Sequence, residues 1–249
     1  MPKKCSRVDP CQTQTVVELE LEGFTPSDSD RGGIIRLLSH IFTEDAAVST
    51  GQIADLIISN HQVGSVVKQV DDVDVDDEDD GEEDSVVFAL ISAIDISMDS
   101  ATNDGVKTVR HFLFDLLNNV DMCEEKSRII DLLMNPTVKI CFLINERLET
   151  LPLSVCANAV EILPSELKTA NMYPSHLVMV FRAYKSDATG HDLDYYYEEY
   201  RHIQAFSLHT LTVYVRPDDF DTAPNKIYTI LIIMMEKFKD VLNALQSLV

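Results

Sequence analysis

The chain has 249 residues, enough for one large domain or two small ones with a sizeable core. Hydrophobic residues make up 45% and charged residues 25%, which excludes a chain disordered throughout. The net charge of −22 is unusual: it repels nucleic-acid phosphates and anionic lipid headgroups and attracts basic partners, so no direct nucleic acid and no membrane is expected among the partners.

Residues 1–14 are polar, carry Pro2 and Pro10, and read as a disordered tail. Lys3, Lys4 and Arg7 have no apolar core behind them, so this is not a secretory signal. Val17, Leu19 and Leu21 alternate with glutamates, which predicts a strand over 15–21. Ser27 to Asp30 can cap a helix that carries Ile34, Leu37, Leu38, Ile41 and Phe42. A second short helix is predicted over 49–59, and an extended β-branched segment over 64–70.

Then comes an acidic run over 71–84, in which 11 of 14 residues are acidic and none is basic. It supplies half of the net charge. Like charges this dense repel and bury no apolar area to offset ordering entropy. Flanked by strand-like 64–70 and 85–96, the run reads as a disordered loop inside one domain, joining neighbouring strands. Its carboxylates are the first candidate partner-binding residues: Asp71, Asp72, Asp74, Asp76, Asp77, Glu78, Asp79, Asp80, Glu82, Glu83 and Asp84.

Two helices are expected next, one with Val106, Val109, Leu113, Leu116, Leu117 and Val120 as its stripe, the other with Ile129, Ile130 and Leu133, stopped by Pro136. The continuous apolar run 138–144 suits a strand buried on both faces. A helix is predicted over 153–167, kinked or ended by Pro164. Strands follow over 176–184, 208–215 and 227–232, and a last helix over 234–248. The fold class is therefore α/β (α+β): a single mixed sheet with helices packed on it.

Chemical signatures are sparse. If Gly81 were the sixth residue of a calcium loop, the twelfth would be Val87, so no bidentate carboxylate closes the site. Gly32 and Gly33 lack the flanks of a phosphate-binding loop. The five cysteines form no C-x-x-C; Cys141 and Cys156 read as core residues, which favours a reducing compartment. His202 and His209 could share a face without forming a known metal motif, and no metal is expected. Glu146, at a strand end beside Arg147, is either a general base or a structural anchor, with the anchor favoured. Tyr195, Tyr197, Glu198 and Glu199 form an acidic–aromatic strip that suits lysine- and arginine-rich peptides; alternatively its tyrosines belong to the core.

The segment Asn60-His61-Gln62-Val63-Gly64-Ser65-Val66-Val67-Lys68-Gln69, followed by an acidic stretch and an apolar strand, resembles the BCCIP family. So do Cys141 to Arg147 with Leu151-Pro152, and the acidic–aromatic stretch at 195–200. Several relatives carry a long lysine-rich insertion where this chain has only residues 185–192. The resemblance implies a fold like that of the GCN-five-related acetyltransferases without their acetyl-coenzyme A site, hence no cofactor and no enzyme. It also implies a nuclear protein that can shuttle to the cytoplasm. The expected function is an adaptor or chaperone for basic clients, with a ribosomal protein of the large subunit as the client. The alternative is a cell-cycle and DNA-repair scaffold for a tumour suppressor and a cyclin-dependent kinase inhibitor, with a spindle role. An acetyltransferase-like enzyme is the weaker alternative.

Overall fold

The computed structural model describes residues 20–42, 49–70, 86–185, 193–215 and 226–248. The acidic run 71–84 and the tail 1–14 lie outside them. Eight strands form one sheet: β1 (Leu21–Phe24), β2 (Gly64–Gln69), β3 (Ala89–Asp95), β4 (Ile140–Arg147), β5 (His176–Lys185), β6 (Leu193–Tyr195), β7 (His209–Val215) and β8 (Lys226–Met234). Their spatial order is β1-β2-β3-β4-β5-β8-β7, with β6 on β5 off this path. Every pairing is antiparallel except β4 with β5.

Helices cover both faces. On one side α1 (Arg31–Leu38), α2 (Thr50–Ser59), α3 (Asp104–Asn118) and α4 (Glu124–Leu133) bury Ile34, Ile53, Val109, Leu113 and Ile129 against Leu90, Phe142 and Val180. On the other, α5 (Ser154–Thr169), α6 (Glu199–Gln204) and α7 (Phe238–Gln246) bury Val160, Leu163, Ile203 and Phe238 against Ile91, Leu143 and Leu231. A strand covered on both faces favours apolar residues on both, which is why β4 is unbrokenly apolar from Ile140 to Ile144. The expected mixed sheet with packed helices is the observed fold.

Capping behaves as the sequence suggests. Asp30 accepts from the Ser27 amide at 2.9 Å and from its hydroxyl at 2.8 Å, and Ser49 caps α2 by accepting from the Gln52 amide. Asp30 is fully buried and is paired at 2.9 Å with Lys68 of β2. Lys68 thus fixes the turn before α1 to the strand that leads into the acidic run.

Several boundaries differ from expectation. The first strand begins at Leu21 and runs to Phe24, paired with Gln69 to Val66; residues 15–19 lie outside the described residues. β4 does not stop at Ile144 but continues through Asn145, Glu146 and Arg147, all buried, in register with β3 up to Ala89. Pro164 does not end α5, which runs on to Thr169 because Leu167 is buried beyond it. β8 extends to Met234 because His176 and Leu177 still pair with it, so the last helix starts later, after a 3-10 turn at Met235–Lys237.

The motif Asn60 to Gln69 is largely explained by packing. Gly64 has φ +106, and a Cβ there would meet the Ile91 carbonyl oxygen at 2.2 Å, so only glycine fits. Its amide donates to Glu166 of α5 at 2.8 Å. Val66 and Val67 then enter the two opposite cores.

Candidate functional site

β4 and β5 are the one parallel pair among the described residues, and they pair only over Ile140–Phe142 with His176–Val178. Beyond that they diverge. β6 takes over the same edge of β5 at Ala183–Lys185, while β5 keeps β8 on its other edge. A wedge therefore opens at the carboxyl ends of β4 and β5, the place where open α/β sheets bind ligands.

The segment from β6 into α6 fills that wedge. The Tyr197 hydroxyl accepts from the Arg147 amide at 3.2 Å and donates to the Arg147 carbonyl. The Tyr200 hydroxyl donates to the Asn145 carbonyl at 2.9 Å. Two phenols thus replace the strand that β4 lacks on this edge, and buried backbone groups need such partners. Tyr200 stacks on Phe181 of β5, ring centres 4.1 Å apart, so the filler touches both walls.

Arg147 and Glu199 form a buried ion pair, with the second hydrogen bond at 3.1 Å. Arg147 also donates to the Leu151 carbonyl at 2.9 Å and lies over the Tyr197 ring, 4.2 Å from its centre. Burial lowers the Arg147 pKa, but the hydrogen bond and charge of Glu199 outweigh it and hold the guanidinium above its usual value. Burial raises the Cys156 thiol nearby to about 11, so it is an inert core thiol.

Glu146 points to the opposite face of β4. Its carboxyl is 4% exposed, 3.5 Å from His40 Nδ1 and 3.2 Å from the Tyr197 hydroxyl. Burial raises its pKa, against the lowering effect of His40. The Tyr197 hydroxyl is placed to donate to this carboxylate as well as to the Arg147 carbonyl, and its hydrogen bond also lowers the Glu146 pKa. Beside it lies a cleft of about 40 Å³ lined by His40, Glu146, Glu149, Arg182, Tyr196, Tyr197 and Tyr200. Cofactor-sized pockets are roughly 300 Å³ or more; this one holds about three waters.

The acidic–aromatic strip is therefore not a continuous surface. It is a short strand, a turn and a helix, and its side chains divide. Tyr197 and Glu199 are buried at 4% and 3% exposure and serve β4 and Arg147, which corrects their assignment to partner binding. The reason is geometric: Arg147 and the free β4 edge take up the carboxylate and the phenol. Tyr195 is half-buried, bonded to Gln204 at 2.9 Å, while Glu198 is exposed. The structure adds Tyr196, His40, Arg182 and Glu149, which sequence periodicity did not single out; only the aromatic density at 195–200 hinted at them. His209 is bonded to Glu125 of α4 at 2.8 Å, and His202 lies exposed on α6. The acidic run lies outside the described residues, but β2 and β3, which precede and follow it, are hydrogen-bonded neighbours.

Comparison with known proteins gives a consistent picture. The solved structure of BCP1 from Saccharomyces cerevisiae matches with a TM-score of 0.66 at 18% identity, covering 92% of this chain and 89% of that one. "Protein BCCIP homolog" of Drosophila melanogaster is 27% identical over 157 residues, 62% of this chain and 52% of the relative. "BRCA2 and CDKN1A-interacting protein" of Homo sapiens is 32% identical over 158 residues, 62% of this chain and 48% of the relative. The matches thus span about half the length of these curated relatives. The BCCIP family model matches residues 16–215, most of the sheet and both helical layers, and the chain belongs to the BCCIP family.

Proposed function

We propose that this chain is a non-enzymatic adaptor or chaperone that binds basic client proteins, with a ribosomal protein of the large subunit as the client class. One observation carries the reading: a run of 11 carboxylates is inserted between two adjacent, hydrogen-bonded strands of the sheet. Its charge attracts a basic surface over about a Debye length, roughly 8–10 Å at physiological salt. The relatives support a binding role, since the human protein is named for interaction and not for a reaction. Purified large-subunit ribosomal proteins are incubated with the full chain and with a variant lacking residues 71–84, at low and high salt. The expected result is capture by the full chain, weakened by salt and lost on deletion. Equal capture by both chains overturns the reading. The nucleus is the proposed compartment, with shuttling to the cytoplasm; a fluorescent fusion excluded from the nucleus contradicts it.

A second reading, a cell-cycle and DNA-repair scaffold, is favoured by the human relative's name and by exposed Tyr184 and Tyr196, whose rings meet 5.4 Å apart. Tyrosine is enriched at protein interfaces. There, Tyr184→Ala with Tyr196→Ala abolishes partner binding while deletion of 71–84 does not.

A further inference from the structure

β7 is an end strand of the sheet. Among the described residues its outer edge pairs with no strand and makes no backbone hydrogen bond to a loop. An edge strand offers a row of free amides and carbonyls, and proteins guard such rows with charged side chains, proline, a bulge or shortness. The opposite edge is guarded: β1 has four residues and carries the exposed Glu22. β7 has none of these guards. Its seven residues, His209 to Val215, include no lysine, arginine, acid or proline, and all of them stay in register with β8 without a bulge. Its threonines, valines and tyrosine favour an extended chain. Leu211 and Val213 are buried toward the layer of α4, whereas Thr210, Thr212 and Tyr214 alternate to the other face, with Tyr214 47% exposed.

We propose that the free edge of β7 docks an extended basic segment of a partner protein, which adds a strand to the sheet through backbone hydrogen bonds. The inference rests on the reading that the chain binds basic proteins, and it adds where the folded sheet receives one. Charge selects the occupant. A second copy brings another −22 and is repelled, whereas a basic segment is drawn in. Helix α4 is fixed to β7 by the bond between Glu125 and His209, and it brings acids to that side of the strand. Arg128 pairs with Glu124 and Glu125, and Lys126 is buried on the Val120 carbonyl. Asp121 and Asp131 are exposed and have no ion pair among the described residues. Because side chains alternate along a strand, the added segment places its basic residues toward α4 and its β-branched residues beside Thr212 and Tyr214.

The test uses the full chain and the capped heptapeptide acetyl-Lys-Val-Lys-Val-Lys-Val-Lys-amide, followed by amide NMR titration and hydrogen exchange. Two counterparts separate the causes. One has D-valine at every valine, which keeps charge and composition but cannot lie as a regular strand. The other has glutamate for lysine. Saturable shifts over His209–Val215 are expected with the lysine peptide, and the β7 amides that exchange fastest in the free chain should slow at least about tenfold. Both counterparts should bind at least about tenfold more weakly. Tyr214→Lys, on an exposed side chain, sets a lysine guard on the edge and should weaken the lysine peptide about threefold. Equal binding of either counterpart, shifts confined to residues outside β7, or indifference to Tyr214→Lys overturns the proposal. So does slowing of the same amides by raised chain concentration alone, which assigns the edge to a second copy. The chain lacking 71–84 keeps the two ideas apart. If it and the full chain bind the heptapeptide at β7 but neither captures a basic protein, the adaptor reading fails and the docking edge stands. If capture succeeds and the captured complex shows unchanged exchange over His209–Val215, the docking edge alone falls.

Discussion

The side chain of Tyr197 completes the backbone of Arg147, accepting from its amide at 3.2 Å and donating to its carbonyl. A phenol here does what a neighbouring strand does elsewhere in the sheet. Removing only the oxygen, with Tyr197→Phe, keeps the ring in place and leaves both backbone groups buried without partners. The expected loss of stability is about 1–3 kcal/mol. Tyr200→Phe orphans only the Asn145 carbonyl and should cost about 1 kcal/mol. Urea unfolding of the two variants measures this, and an unchanged midpoint for Tyr197→Phe would show that water replaces the phenol.

The ion pair beneath it makes a sharper case. Glu199→Gln leaves the Arg147 guanidinium buried without its counter-charge, and breaking a buried pair from one side costs about 3–5 kcal/mol. The double variant Arg147→Met with Glu199→Leu removes both charges and should recover most of that loss. Thermal unfolding of the three proteins decides it. A double variant no more stable than the single one would mean that the pair is needed for more than mutual neutralisation.

What sequence made legible follows from how many neighbours each segment needs. The helices with clear stripes and the apolar strands were readable, since each buries one face or both against a large partner. The piece that escaped is residues 193–204, a three-residue strand and a six-residue helix. Neither is long enough to show a period. Their conformation is set by the unpaired β4 edge and by Arg147, some fifty residues earlier in the chain. For the same reason Asn145, Glu146 and Arg147 read as a strand end: their polarity signals solvent until Tyr197, Tyr200 and Glu199 are known to be there. The candidate cleft lies among these residues, so it was the least legible part of the fold.

Gly64 lies in the motif Asn60 to Gln69, and its backbone geometry carries a stability prediction. Gly64→Ala must hold φ +106 and fit a methyl 2.2 Å from the Ile91 carbonyl oxygen. Backbone strain alone costs about 1–3 kcal/mol, and the clash adds to it. The β2–β3 pairing that brackets the acidic run should loosen, seen as faster amide exchange at Val66 and Leu90, which are register partners. Native exchange rates there in a well-folded variant would contradict the assignment of this glycine to packing.

Glu146 gives the pH dependence of the fold. Its folded pKa is raised, chiefly by burial, while His40 from the end of α1, Tyr197 from the wedge filler and Arg147 on its own strand pull it down. An unfolded glutamate titrates near about 4.3. Between that value and the raised folded value the native state holds more protons than the unfolded one, so this group's contribution to stability falls as pH rises. It is fully present below the unfolded pKa and is lost as pH passes through the folded one. Glu146→Gln removes the titration and keeps the size and an oxygen that can accept from the Tyr197 hydroxyl. The parent should therefore lose stability relative to Glu146→Gln as pH rises from about 4 toward neutrality. Adding His40→Asn to the parent removes a group that lowers the Glu146 pKa, so the same decline should extend to higher pH. Urea unfolding of the parent and both variants across that range is the measurement. A constant difference between parent and Glu146→Gln would mean that Glu146 titrates alike in the folded and unfolded chain.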